Sequence, residues 1–186
     1  MVTLFLVFLS LVFSQQSKAD VDQLPLASED VYSEASYLPF ELPWMNHPEA
    51  GKIYRSSDYP GSVFVFETYF LQCPYCNQNA VNVENLATAF AGDDRVQVLD
   101  LGRDTRGSDY DQWIARHNPR HPVLKDASRV LLNKFGTRLF PTTYVLNCRG
   151  ELALMNEGLW SPGYKDQLVS QIRTLLKDSA CRTSGQ

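Results

Sequence analysis

Val63-Phe64-Val65-Phe66-Glu67-Thr68-Tyr69-Phe70-Leu71-Gln72-Cys73-Pro74-Tyr75-Cys76 is the stretch that decides the fold. Val63 to Glu67 reads as a buried strand, since β-branched and aromatic residues run on without a polar break before Glu67. From Pro74 to Ala91 the pattern changes period. Val83, Leu86, Ala87 and Phe90 recur at i, i+3, i+4 and i+7, one face of a helix that Gly92 stops. Pro74 suits the first helical position, where no N–H donor is needed. A C-x-x-C pair therefore opens a helix that follows a strand. There the leading sulfur meets unpaired N–H groups and the positive end of the helix dipole, which favour thiolate over thiol. With one helical turn between them, the two cysteines can bond to each other, and Cys76 can attack a mixed disulfide on Cys73. Cys73 is the expected nucleophile and Cys76 the resolving thiol. Taken alone, C-x-x-C also fits a structural disulfide or half of a zinc site; the strand before it and the helix after it favour redox chemistry.

The chain around this motif has 186 residues, enough for one domain with a sizeable core plus an extension. Its 44% hydrophobic and 20% charged residues are ordinary for a globular protein, and a formal charge of -4 with no basic stretch gives no support for a nucleic-acid partner. Leu4 to Phe13 is an apolar run too short to span a membrane and suited to a signal-peptide core. Ser17-Lys18-Ala19 offers small residues at both cleavage positions, so residues 1–19 are read as a signal peptide. Met1-Val2-Thr3 lacks the usual Lys or Arg, which leaves an uncleaved anchor as the alternative. No cysteine follows the cleavage site, which argues against a lipid anchor.

Residues 20–50 are polar and proline-punctuated and read as an extended lead-in. Within it, Leu38 to Met45 is apolar enough to pack as a flap on the domain edge, and Pro39 and Pro43 argue against a helix. The domain proper is placed at residues 51–180, with 181–186 as a tail. Lys52 to Arg55 is a short strand and Arg95 to Leu101 another. Gly102 to Lys125 looks like an insertion, with a short helix presenting Tyr110, Trp113 and Ile114. Asp126 is expected to cap a helix with Val130, Leu131 and Phe135 inward, ended by Gly136. Thr142 to Asn147 and Glu151 to Met155 form a hairpin, and Ser161-Pro162 opens a last helix with Leu168, Ile172, Leu175 and Leu176 on one face. The result is an α/β fold, a mixed central sheet with helices on both faces.

Element order, the C-x-x-C at the first helix and Phe140-Pro141-Thr142 before the hairpin together resemble the thioredoxin superfamily over Gly51 to Lys177. The lead-in and the insertion are most similar to exported members of the TlpA and ResA type; the insertion is too short for the helical domain of DsbA. The resemblance implies exchange between dithiols and disulfides of protein substrates, with no metal or organic cofactor, and a bacterial periplasmic location. It further implies a membrane redox partner, a monomer, and a reductase direction over an oxidase, an isomerase or a non-catalytic adaptor. Glu67 corresponds to an acid often found in the superfamily. Poorly solvated, it would have a raised pKa and exchange a proton with Cys76; the alternative is a rim carboxylate paired with a Lys or Arg. Pro141 is implied to be cis and to face the dithiol, leaving the Phe140 backbone to pair with an extended substrate. Phe140 itself departs from the small or β-branched residue common there, and Gln72 from the usual tryptophan. Pro74-Tyr75 is the pair typical of glutaredoxins, and Tyr75 is placed by helical geometry to present its ring to a partner.

Four cysteines in an exported chain suggest two pairs, the second being Cys148 and Cys181. Cys148 lies in the hairpin turn, distal to the dithiol, and the last helix runs back toward that end. The alternative is two free thiols. Zinc is disfavoured: His117 and His121 have H-x3-H spacing, yet the gap to Cys73 and Cys76 is far too long and Pro119 breaks any helix aligning the rings. Both histidines are expected on the surface, and His47 has no evident partner.

Overall fold

The computed structural model describes residues 36–181. Strand β1 (Glu41–Pro43) pairs antiparallel with β2 (Ile53–Arg55), forming a small hairpin. Then come β3 (Val63–Tyr69), α1 (Pro74–Ala89), β4 (Val96–Gly102), α2 (Gly107–His117), β5 (Val123–Lys125), α3 (Val130–Lys134), β6 (Thr142–Leu146), β7 (Leu152–Glu157) and α4 (Tyr164–Leu175). The sheet order is β5-β4-β3-β6-β7. β4 runs parallel to β3 and β5, whereas β6 is antiparallel to both β3 and β7. β3 is central and wholly buried, which is why it reads as an unbroken apolar run.

The side chains of β3 alternate between two cores. Phe64 and Phe66 face Leu131, Leu132 and Phe135 on one side; Val63 and Val65 face Val83 and Leu86 of α1 and Leu168 and Ile172 of α4 on the other. Glu67, in phase with Val63 and Val65, therefore points beneath α1. A third cluster, at the end of the sheet where β3 stops, gathers Tyr69, Leu71, Cys73, Cys76, Tyr110 and Trp113. No helix among the described residues is long and apolar enough to cross a membrane.

Several expectations change in the folded chain. The lead-in is more than a flap: Tyr37, Phe40 and Leu42 are buried with Phe64 and Phe66 in one core, and Gly51 falls between the paired strands β1 and β2. Burying Phe40 alone contributes on the order of 2 kcal/mol. The segment read as an insertion ends in β5, whose Val123 and Leu124 are buried at the sheet edge; three residues are too few to show a period. Val130, expected inward, is 61% exposed. Helix α3 has only five residues and starts after Arg129, whose φ is 58°, so Val130 faces out while Leu131 and Leu132 turn in. Asp126 serves that helix from before its first turn, accepting from the Val130 and Leu132 N–H groups at 2.6 and 2.8 Å. Helix α4 starts at Tyr164, after Gly163 at φ 85°, rather than at Ser161-Pro162. Gly102 ends β4 beside two rings: a Cβ there would lie 2.6 Å from the Tyr110 ring and 2.9 Å from that of Tyr69. Residues 1–19, read as a signal peptide, residues 20–35 and most of the tail lie outside the described residues.

Candidate active site

Cys73 is the residue that caps α1, with Pro74 at the first helical position as its missing donor allows. Its Sγ accepts the Cys76 N–H at 3.0 Å, one of the helix donors that has no carbonyl partner. Cys73 and Cys76 are joined in a disulfide with Cα atoms 5.2 Å apart. The Phe140–Pro141 bond is cis, and the Phe140 carbonyl oxygen lies 3.7 Å from Cys73 Sγ. Thr68 Oγ1 accepts from the Thr142 N–H and donates to the Thr142 carbonyl, fastening the residue after Pro141 to β3. Dithiol and proline thus meet because α1 and β6 both start at the same end of β3.

Tyr75 is 58% exposed, as helical geometry predicts, and Pro74 is exposed beside it. Phe140 is half-buried, packed edge-on against Phe70 with centroids 5.5 Å apart, and the Arg103 guanidinium lies over both rings. In the bonded form Cys73 and Cys76 are each 2% exposed. Their cover is apolar: Met45, Phe70 and Phe140 pack against this cluster.

The turn is also braced from below. Asn77, next after Cys76, donates to the carbonyls of Leu71 and Cys73 at 3.0 and 2.7 Å. Its Oδ1 accepts from Arg116 at 2.6 Å and from His117 Nε2 at 2.9 Å. Helix α2 therefore supports the dithiol turn, a role that sequence reading missed because it links residues forty apart. Burial holds the His117 imidazole below its usual pKa, consistent with a neutral ring donating one N–H.

Glu67 is 4% exposed. One carboxylate oxygen accepts from Asn79 of α1 at 2.5 Å and the other from Thr143 of β6 at 2.7 Å. Thr143 Oγ1 in turn accepts from Trp160 Nε1 at 2.7 Å. Burial pushes the Glu67 carboxyl up to about 8; the hydrogen bonds from Thr143 and Asn79 pull the other way, and the nearby Asp100 adds to the rise. The partners of Glu67 are thus polar neutral groups, and the alternative of a rim carboxylate paired with Lys or Arg does not describe it. Neither sulfur is among its hydrogen-bond partners. Asn79, Thr143 and Trp160 carried no sequence signal, since each reads locally as an ordinary helix, strand or loop residue.

The histidines go separate ways. His121 is a correction: expected on the surface, it is 6% exposed, with Nδ1 3.1 Å from Glu84 and Nε2 3.3 Å from Asp100. Pro122 and β5 follow it directly, and pairing β5 to β4 carries the ring inward. His47 stacks edge-on against Trp44, and its Nδ1 accepts the Glu49 N–H. The described residues contain no group of three or more His, Cys, Asp and Glu side chains that could hold a metal ion. At the opposite end of β6 from Pro141, Cys148 and Cys181 are joined in a disulfide with Cα atoms 5.0 Å apart.

Over 108 residues the chain is 22% identical to the thiol-disulfide oxidoreductase ResA of Halalkalibacterium halodurans, which covers 58% of each chain. The match thus spans less than two thirds of that relative. Among solved structures, the exposed lipoprotein thioredoxin of Streptococcus pneumoniae superposes with a TM-score of 0.62 at 24% identity, covering 74% of this chain and 99% of that one. A Chlorobium tepidum candidate for the thiol:disulfide interchange protein DsbE superposes with a TM-score of 0.66 at 21% identity, covering 76% and 95%. These likenesses carry the fold, a mixed sheet with flanking helices of the thioredoxin type. Because the AhpC/TSA family model matches residues 36–155, well over half of its length, this chain belongs to the AhpC/TSA family.

Proposed function

We propose that this protein is an exported thiol-disulfide oxidoreductase that reduces disulfides of protein substrates through Cys73 and Cys76. The observation that carries the reading is a dithiol pair at the start of α1, with the Cys76 N–H on Cys73 Sγ and the Phe140–Pro141 backbone beside it. In the reduced protein the Cys73 thiolate attacks a substrate disulfide; the substrate S–S bond breaks, a mixed disulfide forms, and one substrate sulfur leaves and takes a proton. Glu67, as carboxylate, accepts the Cys76 proton directly or through one water. The Cys76 thiolate then attacks Cys73 Sγ, the second substrate thiolate departs, and the Cys73–Cys76 disulfide forms. Two electrons have passed to the substrate.

With its carboxyl at about 8, Glu67 is the carboxylate in only about a tenth of molecules at pH 7, so the resolving step speeds up as pH rises toward 8. Pro74, Tyr75, Phe140 and Pro141 form the docking edge, the substrate lying extended along Phe140-Pro141. The reductase direction is supported by the likeness to ResA. A monomer working in the bacterial periplasm and recharged by a membrane dithiol partner completes the reading. No metal or organic cofactor takes part. Cys148–Cys181 is a structural bond. Equilibration of Cys73 and Cys76 in glutathione buffers tests the direction: a potential around -270 mV supports a reductase and one around -120 mV an oxidase.

The apolar cover over the bonded cysteines favours one second reading, an adaptor whose disulfide stays closed. Insulin reduction separates the two. An oxidoreductase turns over with a dithiol reductant, whereas an adaptor shows no turnover and a Cys73 that resists alkylation after reduction.

A further inference from the structure

Glu67 has a second carboxylate beside it. Asp100 is its register partner across β3 and β4, so the two side chains leave the same face of the sheet beneath α1. Asp100 is 2% exposed. Two buried like charges side by side resist joint ionisation, so the surroundings of Asp100 bear on Glu67.

Asp100 Oδ2 accepts from Trp113 Nε1 at 2.9 Å. Its Oδ1 faces His121 Nε2 at 3.3 Å, within ion-pair reach though poorly aligned for a hydrogen bond, and neither atom has another partner among the described residues. The other ring nitrogen of His121 lies 3.1 Å from Glu84 Oε2. A neutral imidazole has one N–H and would turn a lone pair toward one of these carboxylates; only the imidazolium can donate to both. Burial works against that cation, but Asp100 and Glu84 outweigh it and raise His121 above its usual value. The ring lines a surface pocket of about 250 Å³ shared with Glu84, Thr88 and Arg120, through which it can equilibrate with solvent protons. The charged groups facing His121 are Asp100 from β4, Glu84 from α1 and its neighbour Arg120, which is bound to Glu84. His117 of α2 also senses Asp100. Glu67 is faced by Asp100 and by Tyr164 of α4.

We propose that His121 and Asp100 are positioning residues for the proton site at Glu67: the imidazolium masks the Asp100 charge, and that masking sets the pH at which Glu67 releases its proton. The inference rests on the role proposed for Glu67 but is measured apart from it. The experiment follows the Glu67 carboxyl carbon by NMR through a pH titration of the oxidised full chain. His121→Gln unmasks Asp100 and is expected to move the Glu67 midpoint up by about one pH unit; Asp100→Asn removes the charge and moves it down by about as much. In the unmutated protein the same carbon should show a second inflection where the His121 ring nitrogens titrate, so the test survives a variant that fails to fold. Absence of that inflection, or midpoints unmoved by more than a few tenths of a unit in folded variants, overturns the inference. The pH profile of Cys76 attack is recorded in parallel. If the midpoints move but the profile does not, the coupling stands and the role of Glu67 falls; if Glu67→Gln flattens the profile while the midpoints stay put, the coupling alone falls.

Discussion

Two disulfides of nearly equal span, 5.2 and 5.0 Å between Cα atoms, stand at opposite ends of one sheet in opposite electrostatic settings. Cys73 sits where α1 begins and takes an N–H from Cys76. Cys181 sits past the end of α4, its Sγ 3.3 Å from the Leu175 carbonyl oxygen. A helix start favours a thiolate and a helix end disfavours one, so the helix electrostatics favour opening the first bond over the second. Their topologies differ as well. Cys73 and Cys76 are three residues apart and close almost no loop, while Cys148 and Cys181 are 33 apart. In the chain-entropy model the long loop is worth roughly 4 kcal/mol and the short one about half that.

The largest effect should come from deleting the available sulfur. Cys73→Ser is expected to lower insulin-reduction turnover by about ten-thousandfold or more, because it removes the attacking atom itself. The double variant Cys148→Ala with Cys181→Ala should turn over within about twofold of the unmutated protein. Equal losses in both would erase the distinction between the two bonds.

Next comes the pH dependence that Glu67 imposes on stability at the redox end. Its folded carboxyl lies at about 8, above the value of an unfolded glutamate, so folded molecules keep a proton that unfolded ones have released. Stability is therefore whole below about pH 4 and falls as pH rises toward 8, by roughly 4 to 5 kcal/mol over that window. Urea unfolding from pH 5 to 8 should show this decline, and Glu67→Gln should flatten it. A decline of the same slope in the variant would mean that another group is responsible. Among the described residues the distal disulfide has no such buried carboxylate beside it, and its removal should leave the slope alone.

Third is that distal bond. Losing Cys148–Cys181 should cost about 3 to 4 kcal/mol by urea unfolding, the value of a loop of this length. The Arg149–Asp178 ion pair beside it holds the same two segments, yet it is half-exposed and worth less than about 1 kcal/mol, so it cannot substitute. A loss below that level would show that packing of Leu168 and Ile172 already fixes α4 without the cross-link.

The two ends were unequally legible in sequence. C-x-x-C, the apolar run of β3 and the periodicity of α1 are local, and they located the dithiol and its helix directly. Glu67 was singled out through the resemblance, as an acid at the end of the apolar strand. What surrounds it was not: Asp100 and Thr143 become neighbours only through strand register, and His121 only when β5 pairs with β4. Short elements failed for a related reason. Val130 matched an inward helical position, but a five-residue helix entered from a left-handed Arg129 has its phase set by the turn, not by the pattern. Likewise Phe40 and Leu42 looked like part of an edge flap because Pro39 and Pro43 hid strand β1, which carries Leu42 into the core where Phe40 is also buried.

The smallest effect should be at Tyr75, and it bears on what the redox end offers a partner. The side chain is 58% exposed between the cysteines, so its removal leaves no cavity and should change stability by no more than about 0.5 kcal/mol. If the ring contacts the substrate, Tyr75→Ala should raise KM about threefold to tenfold and leave kcat unchanged, the mark of binding shared by ground and transition states. A fall in kcat at constant KM would mean instead that the ring shapes the Cys73–Cys76 turn. The distal disulfide provides the control: if the substrate docks only at the redox end, Arg149→Ala, on an exposed turn beside that disulfide, should move neither constant.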